Sequence, residues 1–293
     1  MTEFSALAPA KINLFLEILD RREDGYHNVL LVNQAVDLTD RLTFTESPTG
    51  EDQLTIDGSC GSDLAGSEGE NTVLIALHRL RSRFGDIPHF RVRLEKRIPV
   101  GAGLGGGSAD AGAVIRAVSE HYRLDWAREE MLDFAVEIGS DVPFSVVGGT
   151  ARVEGKGEKV ESLPFPFPGT CYVLVSPDVE VSTRWAYAAL DRIEERPVCS
   201  AGRMIEALRK GDFQAFARAI WNSFESAVFV EHPELADRVV QLESAGCDAA
   251  WMTGSGSNLV GLCRDHDLAE KVARDTDWPC PVRVVRPVAV CFE

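Results

Sequence analysis

Between Pro99 and Ala111 the chain reads Pro-Val-Gly-Ala-Gly-Leu-Gly-Gly-Gly-Ser-Ala-Asp-Ala, with Gly105 to Gly107 unbroken. No other stretch constrains the fold as much. Glycine reaches backbone regions closed to other residues and lets another backbone or a ligand approach closely. Upstream, Phe90, Val92 and Leu94 alternate with Arg91, Arg93 and Glu95, the periodicity of a strand. Downstream, Ala111, Val114, Ile115, Val118 and Tyr122 recur at helical spacing. The stretch therefore reads strand, glycine loop, helix, with Ser108 as the N-cap candidate. Such a loop aims free N–H groups and the positive end of a helix dipole at one point, which suits phosphate. No Lys-Ser or Lys-Thr closes it, so it is not a Walker A loop, and it departs from the dinucleotide fingerprint. Taken alone, it is a phosphate site or a turn between packed elements.

Composition narrows the class. At 293 residues the chain suffices for one large domain or two ordinary ones. A hydrophobic content of 45% with 26% charged residues describes a globular protein, and no apolar run reaches membrane-spanning length. The N-terminus lacks the basic start and apolar core of a signal peptide, so cytoplasmic residence is expected. Seven cysteines are dispersed without a C-x-x-C pair, which favours reduced thiols over a disulfide frame or a zinc site. The formal charge of -16 disfavours nucleic acid and anionic membranes as partners. A phosphate site here needs its own local positive potential, and Lys11, Arg21, Arg22, Lys96 and Arg97 are the basic residues near the motifs.

Taken in order, Ile12, Leu14, Leu16 and Ile18 share one face of a first strand, with Lys11, Asn13, Phe15 and Glu17 on the other. The polar pair Lys11 and Asn13 could meet a ligand, although periodicity by itself favours a solvated edge strand. Asp24-Gly25 marks a turn with Tyr26 and His27 at its exit, and strands follow at Val29 to Val36, Arg41 to Thr45 and Leu54 to Ile56. Helical patterns begin at Asn71 and run over 125–138, the second capped by Gly139. Asp141 precedes Pro143, which makes a helix N-cap its plain reading. The proline-spaced segment 164–168 is the domain boundary, dividing the chain into 1–163 and 164–293. Beyond it lie a strand over 171–176, helices over 201–208, 212–220 and 233–245, and strands over 250–253 and 259–263 flanking Gly254-Ser-Gly256. A last strand is expected near 282–285. Strands and helices mixed in both halves give an α+β protein of two domains.

Pro9-Ala-Lys-Ile-Asn13, the loop from Pro99 to Ser108 and Gly254-Ser-Gly256 resemble, in order, the three motifs of the galactokinase, homoserine kinase and mevalonate kinase (GHMP) superfamily. Asp24-Gly-Tyr-His27, Gly139-x-Asp-Val-Pro-Phe144, Gly149-Thr-Ala-Arg152 with Gly155-x-Gly-Glu158, and Asn222-x-x-Glu225 resemble its 4-diphosphocytidyl-2-C-methyl-D-erythritol kinase family, of the non-mevalonate route to isoprenoid precursors. The resemblance implies an N-terminal domain like ribosomal protein S5 domain 2 and a ferredoxin-like C-terminal domain, with the active site between them. It implies transfer of the ATP γ-phosphoryl, with Mg²⁺ inferred from ATP, to a hydroxyl of the methylerythritol moiety. The partner is then a small-molecule cytidyl diphosphate sugar alcohol, and the chain a monomer or homodimer.

By position, Lys11 and Asp141 match the catalytic pair, with Asp141 as general base and Lys11 stabilising charge on the transferring group. Asn13, Tyr26, His27, Thr183 and Tyr187 match the substrate side. Pro99, Val100, Gly101, Ala102, Gly103, Leu104, Gly105, Gly106, Gly107, Ser108 and Ala109 match the ATP phosphate site, with Asn71 and Lys96 near the adenine. Two departures stand out. Asn33-Gln34 occupies a place where the family carries an aromatic and Gln against cytosine, so a wall of the base site must come from elsewhere, with Trp185 as candidate. Ser140 and Ser145 replace an Ala and a second Phe around Asp141. The rival readings are a sister kinase acting on mevalonate or homoserine, and a non-catalytic metabolite sensor on the kinase fold.

Overall fold

The structure is a computed structural model, describing residues 3–23, 25–58, 71–193 and 199–288. Asp24 of the expected turn, part of the loop after Pro48, and Cys60 and Cys291 lie outside the described residues. The chain runs β1 (Glu3–Arg21), β2 (His27–Glu46), β3 (Gln53–Asp57), α1 (Thr72–Phe84), β4 (Phe90–Glu95), α2 (Gly106–Tyr122), α3 (Arg128–Val136), α4 (Val142–Val147), β5 (Thr150–Gly155), β6 (Lys159–Leu163) and β7 (Cys171–Val175). It continues with α5 (Thr183–Leu190), α6 (Ala201–Lys210), α7 (Phe213–Arg218), β8 (Trp221–Asn222), α8 (Glu225–Glu231), α9 (Pro233–Ser244), β9 (Ala249–Met252), β10 (Leu259–Cys263), α10 (His266–Asp275) and β11 (Val282–Val285).

Two sheets result. The larger has the order β3-β4-β2-β1-β8, with β5 pairing to β2 and β6 to β5. The second has the order β11-β7-β10-β9, with all of its pairs antiparallel. Its strands keep the ferredoxin-like order, with the run from α5 to α9, β8 included, between β7 and β9, and α10 between β10 and β11. The two strands expected over 29–36 and 41–45 are one strand, β2, which pairs with β5 through its first half and β4 through its second.

β1 is not an edge strand. It lies between β2 and β8, and Lys11, Asn13 and Glu17 are buried. Its register against β2 slips between Pro9 and Lys11 and again between Asn13 and Phe15. Pro9 has no N–H to give a ladder, and each slip locally breaks pairing. The Lys11 N–H instead donates to the Leu104 carbonyl at 3.0 Å, and the Asn13 N–H donates to Thr253 Oγ1 at 2.9 Å. Both bulges thereby fasten the first motif to the other two.

The halves share their cores. Met204 and Leu208 of α6 and Phe216 of α7 pack with the N-terminal cluster, while Leu16, Ile18 and Phe144 pack with the C-terminal one. In the proline-spaced segment, Phe165 and Phe167 sit edge-on or tilted against Phe216. Helix α3 ends at Val136, so Gly139 lies beyond its cap at Glu137. Helices α5 and α8 and the β5–β6 hairpin are too short for periodicity to announce them, while α10, with Ala269 and Val272 on its buried face and Asp265 as its N-cap, is an addition to the expected elements.

Candidate functional site

The three motifs meet along one cleft of about 960 Å³. At its floor Asn13 Oδ1 accepts from Lys11 Nζ and from the Gly254 N–H, both at 2.9 Å. Asn13 Nδ2 donates to Asn33 Oδ1 at 2.7 Å, and Trp251 Nε1 donates to the Asn13 carbonyl at 2.7 Å. Asn13, expected on the substrate side, thus spends its amide inside the protein and orients Lys11. Lys11 Nζ stands 3.6 Å from Asp141 Oδ2. Asp141 occupies the N-cap of α4, yet its side chain makes no capping hydrogen bond and is one-third exposed to the cleft. Pro143 in the first turn removes one N–H the carboxylate might otherwise have served.

The glycine loop delivers its helix differently from expectation. Gly105, not Ser108, is the N-cap of α2, at φ +67°. Side-chain capping by Ser108 fails because the helix already begins at Gly106, leaving the amides of Gly106, Gly107 and Ser108 without partners inside the helix. A Cβ at Gly105 would lie 3.1 Å from Lys11 Cγ, and one at Gly103 would lie 2.4 Å from the Thr253 carbonyl oxygen. Glycine is therefore required at both, by contact and by positive φ. Asn258 Nδ2 donates to the Ala102 carbonyl at 2.7 Å, completing the seat of the loop on the third motif. Pro99 to Gly103 and Gly105 to Ser108 line the cleft, whereas Leu104 and Ala109 point into the core. The result is an electropositive rim that can hold a phosphate chain.

Asn71 and Lys96 also line the cleft. Asn71 caps α1, accepting from the Val73 N–H, and Thr72 Oγ1 donates to the Gly107 carbonyl at 2.8 Å. Lys96 is buried, with Nζ 2.5 Å from Asp40 Oδ2 and 2.8 Å from Asp110 Oδ2. Burial opposes its charge, but Asp110 and Asp40 together hold its pKa above the usual value. Burial also pushes the Asp110 carboxyl up to about 7 despite Lys96. Asp40 accepts in addition from the Arg97 and Ile98 N–H groups, so the triad fixes where the glycine loop starts. Nothing in the spacing of Asp40 or Asp110 marked them, beyond an acid interrupting the apolar face of α2.

At the opposite end stand Tyr26, His27, Thr183 and Tyr187. Tyr26 is 59% exposed at the rim. His27 and Tyr187 stack with centroids 4.9 Å apart, and Thr183 Oγ1 lies 2.9 Å from Ser255 Oγ of the third motif. Burial, then the charge of Asp141, push the Tyr187 hydroxyl up to about 12, so it stays protonated. The position of the missing wall is filled from within the protein, and the expected substitute does not reach the cleft. Asn33 is fully buried in partnership with Asn13, and Gln34 is bonded to Thr150 and to main-chain carbonyls, so neither faces the cleft. Trp185 packs edge-on against His232 and is not among the cleft residues. Of the basic residues singled out, Lys11, Arg21 and Lys96 reach the cleft; Arg22 and Arg97 do not.

Asp191 and Lys156, which no motif singled out, line the cleft, together with Ser140 beside Asp141 and Ser255 of the third motif. Gly157 presses on the Ser140 carbonyl, where an added Cβ would come within 2.0 Å. Asn222 and Glu225 brace the site from behind. Asn222 Nδ2 donates to the carbonyls of Met252 and Gly254, and Glu225 Oε1 accepts from the Met252 N–H. Among the described residues no group of three His, Cys, Asp or Glu side chains forms a metal cage, and no helix is long and apolar enough to cross a membrane.

Comparison with known proteins places this geometry. The model of the GHMP kinases N terminal domain matches residues 71–149, and that of the GHMP kinases C terminal matches residues 204–275. The 4-diphosphocytidyl-2-C-methyl-D-erythritol kinase of Pelotomaculum thermopropionicum is 40% identical over 269 residues, covering 92% of each chain. That of Exiguobacterium sibiricum is 39% identical, covering 90% of this chain and 91% of its own. A crystal structure of 4-(cytidine 5'-diphospho)-2C-methyl-D-erythritol kinase superposes with a TM-score of 0.78 at 31% identity, covering 96% and 98% of the two chains. Homoserine kinase from Cytophaga hutchinsonii shares the fold, with a TM-score of 0.78 at 20% identity over 100% of this chain and 96% of that one.

Proposed function

The chain belongs to the 4-diphosphocytidyl-2-C-methyl-D-erythritol kinase family of GHMP kinases, ATP-dependent enzymes acting on small molecules, and from that premise we propose its substrate and mechanism. The acceptor is a hydroxyl of 4-diphosphocytidyl-2-C-methyl-D-erythritol, on the route to isoprenoid precursors. The observation that carries the reading is the Lys11–Asp141 pair, 3.6 Å apart in the cleft that the glycine loop and the aromatic residues also line.

Phosphoryl transfer asks for in-line positioning and charge neutralisation rather than covalent help. The N–H groups of Gly106, Gly107 and Ser108 hold the triphosphate, with Pro99 to Gly103 forming the rim and Asn71 and Lys96 on the adenine side. Asp141 takes the proton of the acceptor hydroxyl as general base. Lys11, oriented by Asn13, stabilises charge on the transferring group. Tyr26, His27, Thr183 and Tyr187 hold the acceptor. Mg²⁺ takes oxygen ligands and keeps phosphates among them. Ser108 Oγ and the Asp141 carboxylate are oxygen donors beside the helix terminus, and that set fits a metal held mainly by ATP. When bound, it offsets phosphate charge. The division at the proline-spaced segment gives an ATP-side unit, 1–163, and a substrate-side unit, 164–293, with α6, α7 and β8 reaching back.

A coupled ADP-release assay tests the reading, comparing the cytidyl diphosphate substrate with mevalonate and homoserine. Turnover with the first is expected. Turnover confined to either of the others overturns the choice of substrate.

A further inference from the structure

The β9–β10 hairpin carries the third motif at its tip and two cysteines at its base. Cys247 Sγ lies 3.7 Å from Cys263 Sγ, and neither residue lines the cleft. Cys247 is 8% exposed and Cys263 fully buried. Fixed backbone holds them together. The Cys247 N–H donates to the Leu242 carbonyl of α9 at 3.2 Å, and the Asp248 N–H donates to the Leu262 carbonyl of β10 at 2.8 Å. Gly261 leaves the space that Cys247 fills, since a Cβ there would fall 2.5 Å from its sulfur. On the other side of β10, Cys171 is the register partner of Cys263, but its sulfur is 3.8 Å from His266 Nδ1. Donation of its S–H to Cys247, and then burial, push the Cys263 thiol up. An S–H offered to a neighbouring sulfur favours negative charge on that neighbour, and a charged sulfur is the nucleophile.

We propose that Cys247 and Cys263 form a site of reversible oxidation whose co-reactant is hydrogen peroxide, and that the resulting disulfide clasps the hairpin. Cys247 attacks the peroxide first. A sulfur–oxygen bond forms, the oxygen–oxygen bond breaks, and one water leaves. The Cys263 sulfur then attacks the sulfenic acid on Cys247. A sulfur–sulfur bond forms, the sulfur–oxygen bond breaks, and the hydroxyl leaves as a second water with the Cys263 proton. The two thiols have lost two electrons and two protons, and the peroxide has gained them. Closing the bond brings the sulfurs from 3.7 Å to about 2.05 Å, a movement for side-chain rotation while the backbone ladder stays in place. The link joins the legs of the hairpin below Thr253 and Asn258, the residues that seat the glycine loop. Cys263 stands five residues beyond Asn258, which is about 17 Å of extended chain, so the cleft keeps its shape. What changes is the open state: the legs can no longer part, and the third motif is retained under stress.

The test uses the full chain, reduced, freed of reductant and then exposed to hydrogen peroxide. The expected product has lost two thiols and two hydrogens in mass, and digestion without reductant yields one cross-linked peptide joining residues 247 and 263. Its thermal midpoint rises by about 5 °C while turnover in the ADP-release assay stays within about two-fold, and dithiothreitol reverses the rise. Cys247→Ser shows neither the link nor the rise, whereas Cys280→Ser shows both. A link to Cys171 instead, oxygen added at Cys247 without a link, or no loss of thiol overturns the proposal. So does a linked protein whose midpoint fails to rise or whose turnover drops further. Should Cys247→Ser fail to fold, the peptide map of the unaltered chain decides alone. A chain inactive on the cytidyl diphosphate substrate overturns the substrate reading only, because the link and the thermal midpoint are read without it.

Discussion

At the scale of single residues, Asp141 carries the sharpest expectation. Its carboxylate is not used to cap α4, so Asp141→Asn should leave thermal unfolding close to that of the parent while removing the proposed general base. Turnover in the ADP-release assay should fall by about 10²–10⁴-fold. Lys11 and Asp141 stand out in the sequence through motifs that resemble those of the kinase family, and the fold brings the two side chains to 3.6 Å. The structure changes the meaning of their neighbour Asn13. From alternation it faces a ligand; in the fold its amide joins Lys11, Asn33 and Gly254. Asn33 escaped for the same reason, since its partner is twenty residues away on β1 and no local pattern reports a cross-strand pair. Trp185 and Tyr187 lie two apart on a helix of eight residues, too short for periodicity to say which faces the cleft.

At the scale of elements, two devices hold Asp141 and the glycine loop in place. The turn between β5 and β6 presses Gly157, at φ +129°, against the Ser140 carbonyl that leads into Asp141. Gly157→Ala places a Cβ where no atom fits, so residues 140–141 must shift. Displacements near 1 Å cost about a hundredfold in rate. A kcat drop of that order, with a smaller change in KM for ATP, is the outcome a steady-state comparison should give. The second device is the Lys96 triad beneath the glycine loop. Lys96→Met strands two buried carboxylates, and removing one partner from a buried ion cluster costs about 3–5 kcal/mol. Urea unfolding should register a loss of that size. The strand–loop–helix order around residues 90–122 was readable because the period changes from two to 3.6 across a glycine run. The triad was not, because it joins residues 40, 96 and 110 through space.

At the scale of the whole molecule, the C-terminal half supports the N-terminal site from behind, and that support is sensitive to pH. Burial pushes the Glu225 carboxyl up to about 7, opposed by the Met252 N–H it accepts from. Between its ordinary value of 4.5 and about 7 the folded chain keeps a proton that the unfolded chain releases. Its contribution to stability is therefore full below pH 4.5 and is lost as pH rises through about 7. Asp110 acts with the same sign over the same window. Glu225→Gln retains an acceptor for Met252 without the titration, so relative to the parent its urea midpoint should gain between pH 5.5 and pH 8. The α+β class and most element boundaries were within reach of composition and periodicity. The joining of the halves was not, because β8 is two residues long and pairs with β1 across some two hundred positions. That joining also orders events during synthesis. The Asn13 amide binds Thr253, made 240 residues later, and the Gly103 backbone rests on the same residue. At about 5–20 residues per second, the ribosome takes at least about ten seconds to supply that seat. A chain that stops short of residue 253 carries a complete glycine loop that lacks the Thr253 and Asn258 side of its seat. A loop seated for phosphate is thus expected only once translation has passed residue 258.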